Sequence, residues 1–302
     1  MLDKKAHTCT RRYNLLIFLF TVAFLLSACM QTEQAALPVV ADYELEVEDV
    51  GAARKDLKVG VVPGPYGAMF EEAIYPFLRE MGYSAELVYY DSFTRPNVAL
   101  AAKWIDLNIF QHYRYLNSFK FEYDLSLSAI AEIPTVSMGV YSNRYDSIKN
   151  LTDGITISLP EDSTNFARAL MVLENAGIIK LNPSIDKTKA TKTDIVLNPY
   201  NAVFAPLGAH TLVGSLPDFD LSVINGNFAL SGGLNISEAL YNERLEADFF
   251  NVIAVRTEDL GEQFVLDIIS VIRSDDYRTV ILDKEGLFHD FQRPLNFYLD
   301  MD

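Results

Sequence analysis

The chain has 302 residues, half of them hydrophobic, enough to bury one or two ordinary cores. Its 41 Asp and Glu against 25 Lys and Arg leave a formal charge of −16, which argues against the basic footprint of a nucleic-acid-binding surface. The two cysteines, Cys9 and Cys29, both lie in the first tenth of the chain, so the body is expected to carry no disulfide, no cysteine metal site and no cysteine nucleophile.

The first element is an export signal. Lys4, Lys5, Arg11 and Arg12 precede the uncharged run "LLIFLFTVAFLL", Leu15 to Leu26. At the helical rise that run reaches about 18 Å, short of the ~30 Å hydrocarbon core of a bilayer, so it reads as a signal h-region and not as a span. "LSAC", Leu26 to Cys29, places small residues before a cysteine and resembles the lipobox of bacterial lipoproteins. That resemblance implies cleavage after residue 28 and lipid on the Cys29 thiol, anchoring the chain to a bacterial membrane on its periplasmic or outer side. Loss of residues 1–28, with four Lys/Arg and one Asp, takes the charge to −19. Residues 29–56 are acidic, rich in Ala, Glu and Val and without periodicity, and are expected to form a tether.

From Leu57 the pattern alternates. "LKVGVVPG" is a strand into a turn, and "FEEAIYPFLREMG" spaces Phe70, Ile74, Phe77, Leu78 and Met81 as a helix closed by Gly82. "AELVYY" is a strand, "NVALAAKWI" a short helix, "DLNIFQ" a strand and "YRYLNSFKFEY" a helix. The second half repeats this, with "GITISLP" as a strand and "EDSTNFARALMVLENAG" as a loop and helix. "LSVINGN" and "FNVIAVR" are further strands, and "LGEQFVLDIISVIRS" is a helix. Such alternation predicts an α/β protein with parallel sheets covered by helices. About 245 residues exceed one such unit, so two lobes are expected. In open α/β sheets ligands lie beyond the carboxyl ends of strands, and "FQH", "PEDSTN" and "INGN" all fall at such ends.

Catalytic signatures are missing from the sequence: it has no nucleophile elbow, Walker loop, dinucleotide fingerprint or His-Glu-x-x-His motif. His112, His210 and His289 are far apart, none with a metal-ligand partner at short spacing. No enzyme, cofactor or metal is expected. A small zwitterion fits the strand ends better. Asn165 and Arg168 stand three apart at a helix start, where an anion is attracted and an Arg fork can pair a carboxylate; spacing alone leaves Arg168 equally readable as a surface arginine. Asn225 and Asn227 would share one side of a strand, though turn residues are the commoner reading of that pair. Tyr66, Tyr90, Phe93, Phe110 and Tyr115 could wall an apolar side chain, and a thioether suits such a wall. With 35 Phe and Tyr in the chain, most rings must be plain core.

These motifs resemble the methionine-binding lipoproteins of ABC importers, the MetQ/NlpA family. "KVGVVPGP", "RPNVAL", "NIFQHYRYL", "SMGVYSNRYDSI", "PEDSTNFARAL" and "VINGNFAL" match that family's blocks in order, from about Leu57 to Arg256. The resemblance implies a two-lobed periplasmic-binding-protein-like fold of type II with a ligand cleft between the lobes, residues 57–138 plus 255–302 in one and 139–254 in the other. It implies that Arg168 takes a ligand carboxylate and that Asn165, Asn225 and Asn227 hold polar ends. Phe110, His112 and Tyr115, with Tyr90 and Tyr66, would line the side-chain pocket. The implied ligand is L-methionine or a similar amino acid, and the implied partners are the permease and ATPase of an importer. Other family ligands, including short peptides, and a surface lipoprotein without transport remain as alternatives. Arg114 departs from the pattern, standing where the family has proline, as do Ile109, Phe228 and His210; the ending "LFHDFQRPLNFYLDMD" fits poorly.

Overall fold

The computed structural model describes residues 55–298; Cys9, Cys29, the expected signal and nearly all of the expected tether lie outside them. The first sheet is built by β1 (Asp56–Val61), β2 (Ser84–Tyr89), β3 (Leu107–His112) and β4 (Leu127–Ile133). Between them run α1 (Pro65–Met69), a π turn (Phe70–Ile74), α2 (Tyr75–Glu80), α3 (Thr94–Ala101) and α4 (Tyr113–Glu122). The π turn sits just before Pro76, whose missing N–H and bulky ring forbid a regular bond back to residue 72.

The second sheet takes β5 (Gly139–Tyr141) and β6 (Thr156–Pro160), followed by α5 (Ser163–Asn175). A two-stranded ladder of β7 (Lys180–Leu181) and β8 (Ile195–Leu197) is set off from it. Then come β9 (Val203–Leu207), α6 (Leu212–Ser215), β10 (Leu221–Ile224), α7 (Gly226–Ser231) and β11 (Tyr241–Asn242). The chain returns through β12 (Asn251–Arg256) to α8 (Gln263–Ile272) and α9 (Asp275–Leu282).

The strand orders are β2-β1-β3-β12-β4 and β11-β5-β10-β6-β9. The expected parallel pairing holds for β1 with β2 and β3, and for β6 with β9 and β10. It fails where the chain changes sheets: β12 is antiparallel to β3 and β4, and β5 to β10 and β11. The direction follows from the route. Strands of βα units end at the cleft, whereas a strand arriving from the other sheet begins there and must run the opposite way. All of β12 lies in the first sheet, so the return crossing falls between Asn242 and Asn251, ahead of the lobe boundary at residues 254 and 255 that the resemblance implies.

Each sheet is covered on both faces, which is why β3 and β12 are buried at all six positions. On one face of the first sheet Val59, Ile109 and Ile253 pack under Phe70, Phe264 and Ile268; on the other, Val252 and Ala254 meet Leu100 and Leu116. The second sheet packs Val140, Ile157 and Val223 against Leu170 and Leu173 of α5. Burying one such aliphatic side chain contributes about 1.5–3 kcal/mol. The C-terminal segment closes the crossings: Gln292 pairs with Thr135 through both backbone bonds, and its side chain donates to Ser137 Oγ (2.6 Å) and the Glu243 carbonyl (2.7 Å).

Candidate ligand-binding site

The ends of β3, β10 and the outward crossing converge on one cavity. Its lining includes Tyr66, Phe93, Phe110, His112, Tyr115, Asn165, Arg168, Asn225 and Asn227. Eight of the nine ligand-site residues expected from the sequence are thus brought together. Tyr90 is not among them; it follows the last residue of β2, Tyr89, and packs against the clusters that contain Leu100 and Phe110.

Arg168 enters from the second turn of α5, and its guanidinium is 4 % exposed. Its Nε and Nη2 edge is taken by Glu243, at 2.8 Å to Oε1 and 2.6 Å to Oε2, in a bidentate pair buried on both sides. The carboxylate that the Arg fork meets is therefore one of the protein's own. Two Nη1 hydrogens and one on Nη2 remain for another acceptor. Glu243 also accepts from the Met138 backbone N–H at 3.1 Å, tying the pair to the outward crossing.

His112 caps α4, its Nδ1 accepting from the Tyr115 N–H at 3.1 Å. That bond fixes the tautomer: Nε2 carries the hydrogen and donates to Asn165 Oδ1 at 3.3 Å. Burial, reinforced by the Arg168 charge, holds the imidazole pKa well below its ordinary range, so the ring is neutral. Asn165 is fully engaged. Its Oδ1 also accepts from Asn225 Nδ2 at 2.8 Å, while its amide nitrogen donates to both oxygens of Asp162, the N-cap of α5. Asn225 is 5 % exposed, and its Oδ1 is buried with no partner among the described residues.

Asn225 and Asn227 do not share a strand. β10 stops at Ile224, Asn225 is the N-cap of α7, and Asn227 lies in that helix's first turn. The structure still aims both at the cavity, because Gly226 lets α7 seat against the crossing. A Cβ there would stand 2.3 Å from the Ser137 carbonyl oxygen. Gly64, at φ +136°, makes the matching approach from the first lobe, and a Cβ would lie 2.7 Å from Asn227 Cβ. Asn227 Nδ2 donates to the Pro63 carbonyl at 3.1 Å across the same contact.

The apolar wall is a ring cluster. Phe93 stands 5.9 Å from both Phe110 and Tyr115 and 5.1 Å from Phe228, at tilted or edge-on angles favourable for aromatic pairs. Beneath it Gln111 is locked by Asn97 and Asn108 in a buried amide network with bonds of 2.7–3.0 Å, which gives the "RPNVAL" motif a structural task. The sequence reasoning missed Glu243, Thr135 and Asn251, the last two of which also line the cavity. Asn251 begins β12 at the cleft and donates to the Phe110 carbonyl at 3.1 Å.

A buried polar cavity between two α/β lobes joined by two crossing segments defines the class: a periplasmic-type substrate-binding protein. Residues 57–291 match the NlpA lipoprotein family model, and the chain belongs to that family. It is 31 % identical to outer membrane lipoprotein 3 of Mannheimia haemolytica over 238 residues, 78 % of this chain and 90 % of the relative. It is likewise 31 % identical to the D-methionine-binding lipoprotein MetQ of Escherichia coli, over 73 % of this chain and 82 % of the relative. Among solved structures, a nutrient-binding protein of Burkholderia cenocepacia bound to methionine superposes with a TM-score of 0.71 at 30 % identity, covering 75 % of this chain and 95 % of that one.

Proposed function

We propose that this chain is the substrate-binding component of an ABC importer, holding methionine or a similar small amino acid between its lobes and delivering it to the permease. The observation that carries the reading is the pairing of opposite needs across one cavity. Arg168 retains donors on Nη1 and Nη2, and Asn225 Oδ1 is a buried acceptor without a donor. A carboxylate on the first and an ammonium on the second are the two ends of an α-amino acid, and the cluster of Phe93, Phe110 and Tyr115 would take its side chain. Leaving a buried acceptor unmatched costs roughly 1–3 kcal/mol, which a ligand ammonium would recover. Asn165 and His112 then act by orienting Asn225 and Tyr115, and Asn227 lines the same cavity.

Binding without turnover is the reading for His112, because both ring nitrogens are already committed, one to a backbone N–H and one to Asn165. The proposal places the protein on a bacterial membrane through lipid on Cys29, with lobes 57–138 plus 255–302 and 139–254 adjusted to the return crossing described above. Relatives named for methionine binding support the ligand class.

The test is native mass spectrometry of the full chain in detergent, followed by denaturation to identify any released molecule, and calorimetry with L-methionine, D-methionine and a panel of other amino acids. Retained or titratable methionine is the expected result. A different amino acid would keep the role and change the ligand. A chain that neither carries nor binds any of them would overturn the reading.

A further inference from the structure

Arg114 lies on α4, which packs on the first sheet through Leu116, yet its guanidinium reaches the other lobe. Its Nη1 donates to Thr188 Oγ1 at 2.8 Å. Thr188 sits in the short 3-10 turn Lys187–Lys189, which is fastened to α5 by the Lys187–Glu174 ion pair at 2.7 Å and by Ala190 in the second core. The hydroxyl hydrogen of Thr188 is given to Asp186, the cap of that turn, so its oxygen is left to accept. Arg114 is also aimed by Asp248, in the Ala247–Phe249 turn of the return crossing just before β12.

The latch touches the ligand site through one ring. Phe249 is 2 % exposed and lies between two cations, the Arg114 guanidinium 5.7 Å and that of Arg168 5.1 Å from its centroid. The same ring stands edge-on to His112 at 5.3 Å. Phe249 therefore backs both Arg168 and His112, and Arg114 packs against the same ring. We propose that Arg114 is a positioning residue for ligand binding, a latch whose bond to Thr188 holds the lobes closed and slows ligand release. The inference rests on the binding role proposed above.

The contact forms only when the lobes are together, so its loss should act on release and leave association nearly alone. The experiment uses the full chain in detergent with radiolabelled methionine as probe. Arg114→Gln and Thr188→Val should each speed release about five- to tenfold, the scale of one partly exposed charge-assisted hydrogen bond. The double variant should be no faster than either single one, because both remove the same bond. Thr188→Ser keeps the hydroxyl and should restore slow release. Wild-type release rates in both single variants, or effects that multiply in the double, would overturn the proposal. Amide exchange without ligand gives a second reading. Residues 113–118 and 186–190 should exchange faster together in Arg114→Gln, and unchanged exchange would sink the latch even if methionine proved to be the wrong probe. A wild-type chain that binds no methionine, with the coupled faster exchange still present in Arg114→Gln, would count against the ligand and for the latch.

Discussion

Arg168 and Glu243, 75 residues apart, form a bidentate ion pair with both side chains under a tenth exposed. Removing one member of such a pair strands a buried charge, whereas replacing both with apolar groups avoids that cost. Arg168→Ala should lower unfolding free energy by about 3–5 kcal/mol, read by urea denaturation, and abolish measurable methionine binding. Arg168→Met with Glu243→Leu should recover most of the stability and none of the binding. Recovery of both would remove Arg168 from the ligand's carboxylate.

His112 is neutral in the fold, with a pKa held well below the unfolded value by burial and by Arg168. The unfolded chain therefore binds the proton more readily, and stability is full above about pH 6.5 and falls as the pH drops toward the folded pKa. His112→Asn keeps an acceptor at the N-cap of α4 and removes this titration. Urea midpoints between pH 7.5 and pH 5 should fall more steeply for the wild type than for this variant; equal slopes would mean the imidazole charges freely in place.

Glu132 behaves in the opposite sense. Burial, with the Asp248 carboxylate adding to it, pushes its pKa up to about 7. The folded chain then holds the proton more tightly than the unfolded one, so this group's contribution is complete at acid pH and is lost as the pH rises through about 7. Glu132→Gln should match the wild type near pH 4 and exceed it in stability at pH 8. A variant no more stable at pH 8 would show that the carboxyl is solvated in solution.

The alternation of apolar runs and helical spacings made the two α/β halves readable, and strand ends located the cleft. Direction was not readable, because a period of two carries no sense of which way a strand runs; β5 and β12 therefore surprised a parallel reading. The "INGN" stretch looked like strand because α7 is six residues, too short to display a helical period. Glu243 was hidden in "YNERLEAD", a polar stretch that reads as surface until the crossing folds it beneath Arg168. Tyr90 carried the same signal as Phe110, an aromatic at a strand end. Only the sheet order shows that β2 is an edge and β3 the floor of the cavity.

Asn225 separates binding from stability in one substitution. Its Nδ2 makes one bond, to Asn165, and its Oδ1 makes none among the described residues. Asn225→Leu should cost the fold only about 1 kcal/mol, while weakening methionine binding at least about tenfold through loss of the ammonium acceptor, since 1.4 kcal/mol is a factor of ten. Unchanged affinity by calorimetry would place the ammonium elsewhere in the cavity.

Gly226 tests closure itself. A Cβ at this position would lie 2.3 Å from the Ser137 carbonyl oxygen and 2.6 Å from Val136 Cγ2. The valine can rotate, but the carbonyl belongs to the crossing segment between β4 and β5 and moves only if the lobes shift. Gly226 is the first residue of α7, with φ outside the left-handed region, so alanine there does not weaken the separate lobe. Overpacking at the contact costs about 1–3 kcal/mol and falls on the closed arrangement. Gly226→Ala should therefore keep a thermal midpoint near the wild type, weaken methionine binding by about tenfold or more, and quicken amide exchange at residues 135–138. Full affinity with unchanged exchange would mean that the crossing accommodates a methyl group without parting the lobes, and that closure is looser than this contact implies.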